Sequence, residues 1–210
     1  MIDLYTWTTP NGRKASIMLE EVGLPYNVHP VNLGKQEQLA PEFLVIAPNN
    51  KIPAIVDHDA PGRLSVFESG AILVYLAEKT GKLLPSSGAE RYRALEWLNW
   101  QMGGVGPMFG QLGFFAIRST EKSALAIDRF TEECRRLLGV IDRRLQQCAY
   151  LAGDNYSIAD VATYPWMQAG KTFLGPVLGP DMEAMPAVNR WLTAVGERQA
   201  VKRGMAAPKV

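Results

Sequence analysis

Cysteine is almost missing from this sequence. Only Cys134 and Cys148 occur, they have no CxxC spacing, and none precedes Cys134. That excludes a disulfide framework, and it excludes a mixed-disulfide site built on a cysteine of the first half. Histidine is as scarce: His29 and His58 lack the spacing of metal ligands, so no metal is expected. No apolar run approaches the ~20 residues that a membrane span needs. The start, Met-Ile-Asp-Leu-Tyr, has neither a basic n-region nor an apolar h-region. No membrane partner and a cytoplasmic location are therefore expected. Neither sign of charge dominates. Lys plus Arg is 22 and Asp plus Glu is 21, for a net charge of +1. A nucleic-acid partner would call for a broad basic footprint, which this balance argues against. A small local anion site remains open.

What is present suits a globular chain. Its 210 residues can bury a core without metal or disulfide staples, and 47% of them are hydrophobic. The two halves differ. Residues 2–7 read as a strand and residues 13–22 as a helix, with Ile17, Met18 and Val22 on one face and Gly23 as its stop. Residues 26–33 read as a second strand whose internal proline suggests an edge or a bulge. Residues 53–57 and 64–67 read as a hairpin with Pro61-Gly62 at its tip, and residues 69–79 as a helix stopped by Gly81. The order β-α-β then β-β-α predicts a mixed sheet with helices packed on it, an α/β domain over residues 1–81.

Residues 82–88 read as a linker, and residues 89–210 as an all-helical domain. A helix over 89–102 should kink or break at Gly103-Gly104-Val105-Gly106-Pro107. Residues 121–147 have the strongest period, with Ile127, Phe130, Cys134, Leu137, Leu138, Ile141 and Leu145 as one continuous stripe. Ser157 followed by Asp160 forms a capping-box pattern, and residues 186–198 form a last amphipathic helix.

Three segments of the first half carry candidate chemistry. Thr8-Thr9-Pro10-Asn11-Gly12 reads either as a plain helix-entry turn or as a place where a hydroxyl, an amide and helix N–H groups converge on a thiolate. Asn49-Asn50-Lys51-Ile52-Pro53-Ala54 reads either as a trans proline opening an edge strand or as a cis turn. The cis turn would offer the Ile52 N–H and C=O to an extended peptide. Phe67-Glu68-Ser69-Gly70 makes Ser69 an N-cap. It also sets the Glu68 carboxylate beside free helix N–H groups, which suits an α-amino-acid end. An amino-acid end, a peptide middle and a thiol together describe glutathione.

In this order and spacing, the Ile52-Pro53 turn, Glu68-Ser69 and Ser157…Asp160 resemble the cytosolic glutathione transferases over essentially the whole chain. Thr9-Pro10-Asn11-Gly12 and residues 48–58, 67–73 and 97–111 are similar to the bacterial Nu-class enzymes within that family. The resemblance implies a thioredoxin-like first domain with a four-stranded mixed sheet, an all-α second domain, and a homodimer. It implies a glutathione-dependent disulfide-bond reductase taking one or two glutathiones, or glutathione disulfide, per site, with weak transferase or peroxidase activity. The glutathione site it implies is Asn11, Gln38, Lys51, Ile52, Glu68, Ser69 and Arg129, with Thr9 and Asn11 as catalytic residues beside the sulfur. Conjugation of electrophilic small molecules and a non-catalytic glutathione-binding regulatory role are the alternatives.

Other candidates read less well. Tyr5 falls within the first strand rather than after it, and Ser16 within the first helix. Cys134 lies on the apolar stripe and Cys148 near a helix end. Phe109, Phe114, Phe115 and Trp166 read either as core or as the lining of an apolar second-substrate pocket.

Overall fold

The computed structural model describes residues 1–210, which form two compact units: Met1–Ser86 with Glu197–Val210, and Ser87–Gly196. The first unit is built on strands β1 (Ile2–Thr6), β2 (Tyr26–Pro30), β3 (Ala54–Asp57) and β4 (Leu64–Phe67). Their order in the sheet is β2-β1-β3-β4. β2 runs parallel to β1, and β3 and β4 are antiparallel to their neighbours. In β1 the residues Ile2, Leu4 and Thr6 are buried while Asp3 and Tyr5 are half-buried. β3 is buried at every position, as a central strand covered on both faces must be. The second strand ends at Pro30 rather than at residue 33. Beyond it the chain forms two 3-10 turns, Leu33–Lys35 and Glu37–Leu39.

Helix α1 (Pro10–Val22) begins three residues before the expected start. Pro10 sits in its first turn, where its missing N–H costs nothing, and Thr9 is the cap. Gly23 closes the helix in the left-handed region at φ 75. A short helix α2 (Pro41–Ile46) follows the 3-10 turns, and α3 (Ser69–Thr80) follows β4. The Asp57 carboxylate at the end of β3 holds α3 to the sheet. It accepts from the Tyr75 hydroxyl at 2.6 Å and pairs with the Lys79 ammonium at 2.7 Å.

The second unit is helical: α4 (Gly88–Trp100), α5 (Gly106–Leu112), α6 (Ala124–Gln147), α7 (Ile158–Lys171), α8 (Gly175–Glu183) and α9 (Pro186–Gly196). Of the kink or break expected at residues 103–107, the break does not occur. Gln101–Val105 winds as a π-helical turn that leads straight into α5, and Gly113–Arg118 winds likewise at the far end. The wider turn gives room for the ring of Pro107, and the glycines bring no side chain to crowd it. The capping box forms as expected: Asp160 Oδ2 accepts from the Ser157 N–H at 3.0 Å. Asp160 Oδ1 also accepts from the Leu151 N–H at 3.0 Å and from the Trp191 indole at 2.9 Å. On α6 the residues Cys134, Leu137, Leu138, Ile141 and Leu145 are buried.

The last helix of this unit ends at Gly196, short of residue 198. The chain then returns to the first unit through α10 (Gln199–Met205), which packs on α1. The two backbones touch at Gly204, where a Cβ would lie 2.4 Å from the Ile17 Cα. Ser16 Oγ donates to the Gly204 carbonyl at 2.7 Å, so its work is packing. Arg198 forks onto Glu21 at 2.6 and 2.8 Å.

Burial works against ionisation of Asp57. The hydrogen bonds from Lys79 and Tyr75 outweigh it and hold the carboxyl down to about 2 from 3.8. A carboxylate depressed on folding adds stability above its unfolded pKa and loses it as pH falls. Asp57→Asn is therefore expected to cost about 2 kcal/mol at pH 7. That cost should vanish between about pH 4 and pH 2, where the two proteins' urea midpoints should converge.

Candidate functional site

The sheet register gathers the three candidate segments. Tyr5 pairs with Ala54, and Ala54 with Phe67. The C-terminal end of β1, the start of β3 and the end of β4 therefore lie side by side. Thr9-Asn11, Lys51-Ile52-Pro53 and Glu68-Ser69 leave the sheet at that one edge.

At the first position Thr9 Oγ1 accepts from the Gly12 N–H at 3.1 Å. The oxygen is thereby fixed as an acceptor toward the helix, and its own hydrogen must point elsewhere. Asn11 occupies the first turn of α1 and is half-buried. Gly12 permits the close entry of the chain: a Cβ there would lie 2.3 Å from the Trp7 carbonyl oxygen. Tyr5 does not reach this corner as an activating phenol. It stacks on His29 at 4.7 Å, and burial raises its pKa.

At the second position the Ile52–Pro53 bond is cis. The ladder begins at Ala54, so the N–H and C=O of buried Ile52 lie outside it. Lys51 is exposed. Gln38 is held in the 3-10 turn Glu37–Leu39, and its Oε1 is buried with no hydrogen-bond partner in the protein. Such an atom carries a desolvation cost that a bound donor would remove.

At the third position the expectation for Ser69 is corrected. Glu68, at φ 69 and ψ 115, is the cap residue, and Ser69 is the first residue of α3. A β4 that pairs through Phe67 leaves one residue to turn the chain into the helix, and that residue takes the left-handed φ. Such a conformation costs a non-glycine residue of order 1–3 kcal/mol. It leaves the Glu68 side chain exposed, accepting from Asn49 Nδ2 at 3.3 Å.

Beneath this corner lies a residue that the candidate set omits. Lys14 is 1% exposed, and its Nζ donates to Ser69 Oγ at 3.4 Å. Burial pushes its ammonium down to about 7, with Glu68 pulling the other way. One signal was available in the sequence. Lys14 precedes Ile17 and Met18 by three and four residues, which puts a charge on the apolar stripe of α1.

In the helical unit Arg129 is exposed on α6. Phe109 is buried at 1% and is a core residue, not pocket lining. Phe114 is exposed, Phe115 stacks on Phe130 at 5.7 Å, and Trp166 is half-buried. Neither cysteine is poised as a thiolate: burial pushes Cys134 up to about 12 and raises Cys148 as well. No helix is long and apolar enough to cross a membrane.

The family model for the glutathione S-transferase N-terminal domain matches residues 1–78, and that for the C-terminal domain matches residues 105–199. The chain belongs to the glutathione S-transferase family. It is 47% identical over 208 residues to the disulfide-bond oxidoreductase YfcG of Escherichia coli, covering 98% of this chain and 94% of that protein. It is 42% identical to the disulfide-bond oxidoreductase YghU of the same organism, covering 97% of this chain and 73% of that protein. Among solved structures it is similar to a glutathione transferase family member from Pseudomonas fluorescens with two glutathione bound. That match has a TM-score of 0.93 at 47% identity and covers 97% of this chain and 92% of the other. A glutathione transferase from Pseudomonas putida with one glutathione disulfide per subunit matches with a TM-score of 0.93 at 46% identity, over 99% and 91% of the two chains.

The positive φ of Glu68 separates stability from binding. Glu68→Gly is expected to raise the unfolding free energy by about 1 kcal/mol, because glycine adopts this conformation without a Cβ clash. The same change should abolish retention on immobilised glutathione. Chemical denaturation and affinity chromatography read the two effects separately.

Proposed function

We propose that this chain is a glutathione-dependent disulfide-bond reductase in which the redox sulfur belongs to the ligand. The observation that carries this reading is the Thr9 cap at the mouth of α1 in a first unit that contains no cysteine. In relatives of this fold that lack a protein thiol, the reacting thiolate must be brought in and stabilised there. The Nu-class resemblance and the names of the two Escherichia coli relatives support the same activity.

Glutathione supplies the nucleophile: its thiolate displaces one sulfur of a disulfide and releases a thiolate, and a second glutathione completes the exchange to give glutathione disulfide and two thiols. The chain's part is to bind and to tune. Thr9 directs its hydroxyl hydrogen, and Asn11 its amide, toward the anion, and the N-terminus of α1 adds its field. A free thiol near pKa 8.5 is mostly protonated at neutral pH, so donors that lower this value by one unit raise the thiolate fraction several-fold. Ile52 pairs through its backbone with the cysteinyl residue. Glu68 takes the γ-glutamyl ammonium, and Ser69 with the α3 N–H groups takes its carboxylate. Gln38 and Lys51 hold the rest of the tripeptide.

The exposed Phe114 and the stacked Phe115–Phe130 pair support a second activity, conjugation of glutathione to apolar electrophiles. We also propose a cytoplasmic homodimer. Leu64 and Phe67 on edge strand β4 and Tyr92 on α4 are exposed apolar residues that an oligomer would cover. Sedimentation at micromolar concentration is expected to give twice the 23.2 kDa chain mass.

The double variant Thr9→Val with Asn11→Ala is expected to lose at least tenfold in kcat/KM for a small mixed disulfide at pH 7, assayed with glutathione reductase. Its pH–rate profile should move up by at least one unit, since each lost charge-assisted bond is worth roughly 1.5–3 kcal/mol. Equal turnover, or an unshifted profile, removes the assignment.

A further inference from the structure

The glutathione site proposed above leaves one charged side chain with no assigned purpose. Lys14 lies under the junction of β4 and α3 with 1% of its surface exposed, and lysine is almost never buried so fully without a reason. Its Nζ stands 3.4 Å from Ser69 Oγ. An ammonium has three donors and no lone pair, so in this contact Ser69 is the acceptor. The Ser69 hydroxyl hydrogen therefore cannot point inward at Lys14. Ser69 itself begins α3, where helix N–H groups also face outward.

We propose that Lys14 is the positioning residue for the α-carboxylate of the γ-glutamyl group. It acts through space, by placing a positive charge behind the Ser69 hydroxyl and the N-terminus of α3. This rests on the glutathione reading of the site. It goes beyond that reading by making a buried α1 side chain, which the ligand does not touch, responsible for selecting a carboxylate at that end of the ligand. Glu68 is the charged group that faces Lys14. The other charges on the elements packed with α1 are engaged elsewhere or exposed. Asp3 of β1 pairs with His58, and Lys79 of α3 with Asp57. Arg198 pairs with Glu21, Arg203 of α10 with Glu20, and Lys202 is exposed. A ligand carboxylate arriving at Ser69 would give this buried cation a second anionic neighbour, on the ligand's side. The ammonium, lowered by burial to about 7, would then be held in its charged form.

The test compares two ligands on the same protein. S-methylglutathione carries no ionisable thiol, and its analogue with 4-aminobutyrate in place of the γ-glutamyl group lacks the α-carboxylate. By calorimetry at pH 6.5, Lys14→Met is expected to weaken S-methylglutathione about tenfold and the analogue less than twofold. Equal weakening of both ligands would mark Lys14 as structural and overturn the proposal, as would no weakening of either. Lys14→Gln serves as the second variant. A third measurement needs no variant. Between pH 6 and pH 8, calorimetry of the wild-type protein in buffers of different ionisation heat should show net proton uptake with S-methylglutathione, since its carboxylate favours the charged form of an ammonium that burial lowers. The analogue should take up none. Equal uptake for the two ligands overturns the coupling even if neither variant folds. Failure of the wild-type protein to bind S-methylglutathione would instead refute the glutathione reading itself.

Discussion

The register that sets Tyr5 beside Ala54 and Ala54 beside Phe67 is the constraint on which the site depends. Strand residues are fixed to their neighbours by backbone hydrogen bonds, so slipping one strand by one residue would turn every side chain to the opposite face. With β3 buried at all four positions, such a slip would also place Asp57 wrongly for Tyr75 and Lys79. The same register brings three chain segments, distant in sequence, to one edge. Two helices, α1 and α3, then begin at that edge.

Around that edge the first unit sets hydrogen-bonding groups and no cysteine. The Thr9 oxygen is committed to the Gly12 N–H, which leaves its hydrogen for something else. Gln38 Oε1 is buried without a partner, and Ile52 lies just outside the ladder. Glu68 holds a left-handed φ to make the turn into α3. Of these, the buried Gln38 oxygen and the positive φ of Glu68 are costs to the protein alone. Both cysteines, by contrast, are pushed toward the protonated form by burial.

Much of this was legible in the sequence. The strands at both ends of the hairpin, the two-part division and the Ser157…Asp160 box follow from periodicity, turn residues and cap chemistry, which are local. The errors were also local rules overruled by packing. Gly103-Gly104-Val105-Gly106-Pro107 reads as a kink or a break, but a π-helical turn there leaves the helix unbroken. Ser69 looks like a cap because serine caps helices well, but β4 pairing through Phe67 leaves Glu68 to make the turn. Residues 197–210 read as more of the helical half, whereas Gly204 allows them to pack against α1.

The scarcity of cysteine was fixed by the sequence alone, and so was its consequence that no thiol of the first unit can carry redox chemistry. The residue types at Thr9, Asn11, Ile52, Glu68 and Ser69 were likewise visible, because their chemistry is intrinsic. Only the tertiary structure decided which of them share an edge, since strand pairing joins residues tens of positions apart. It also decided the state of Lys14. A lysine in a sequence is a solvated charge by default. Burial pushes this ammonium down to about 7 while Glu68 pulls the other way, and burial is a property of the packed fold.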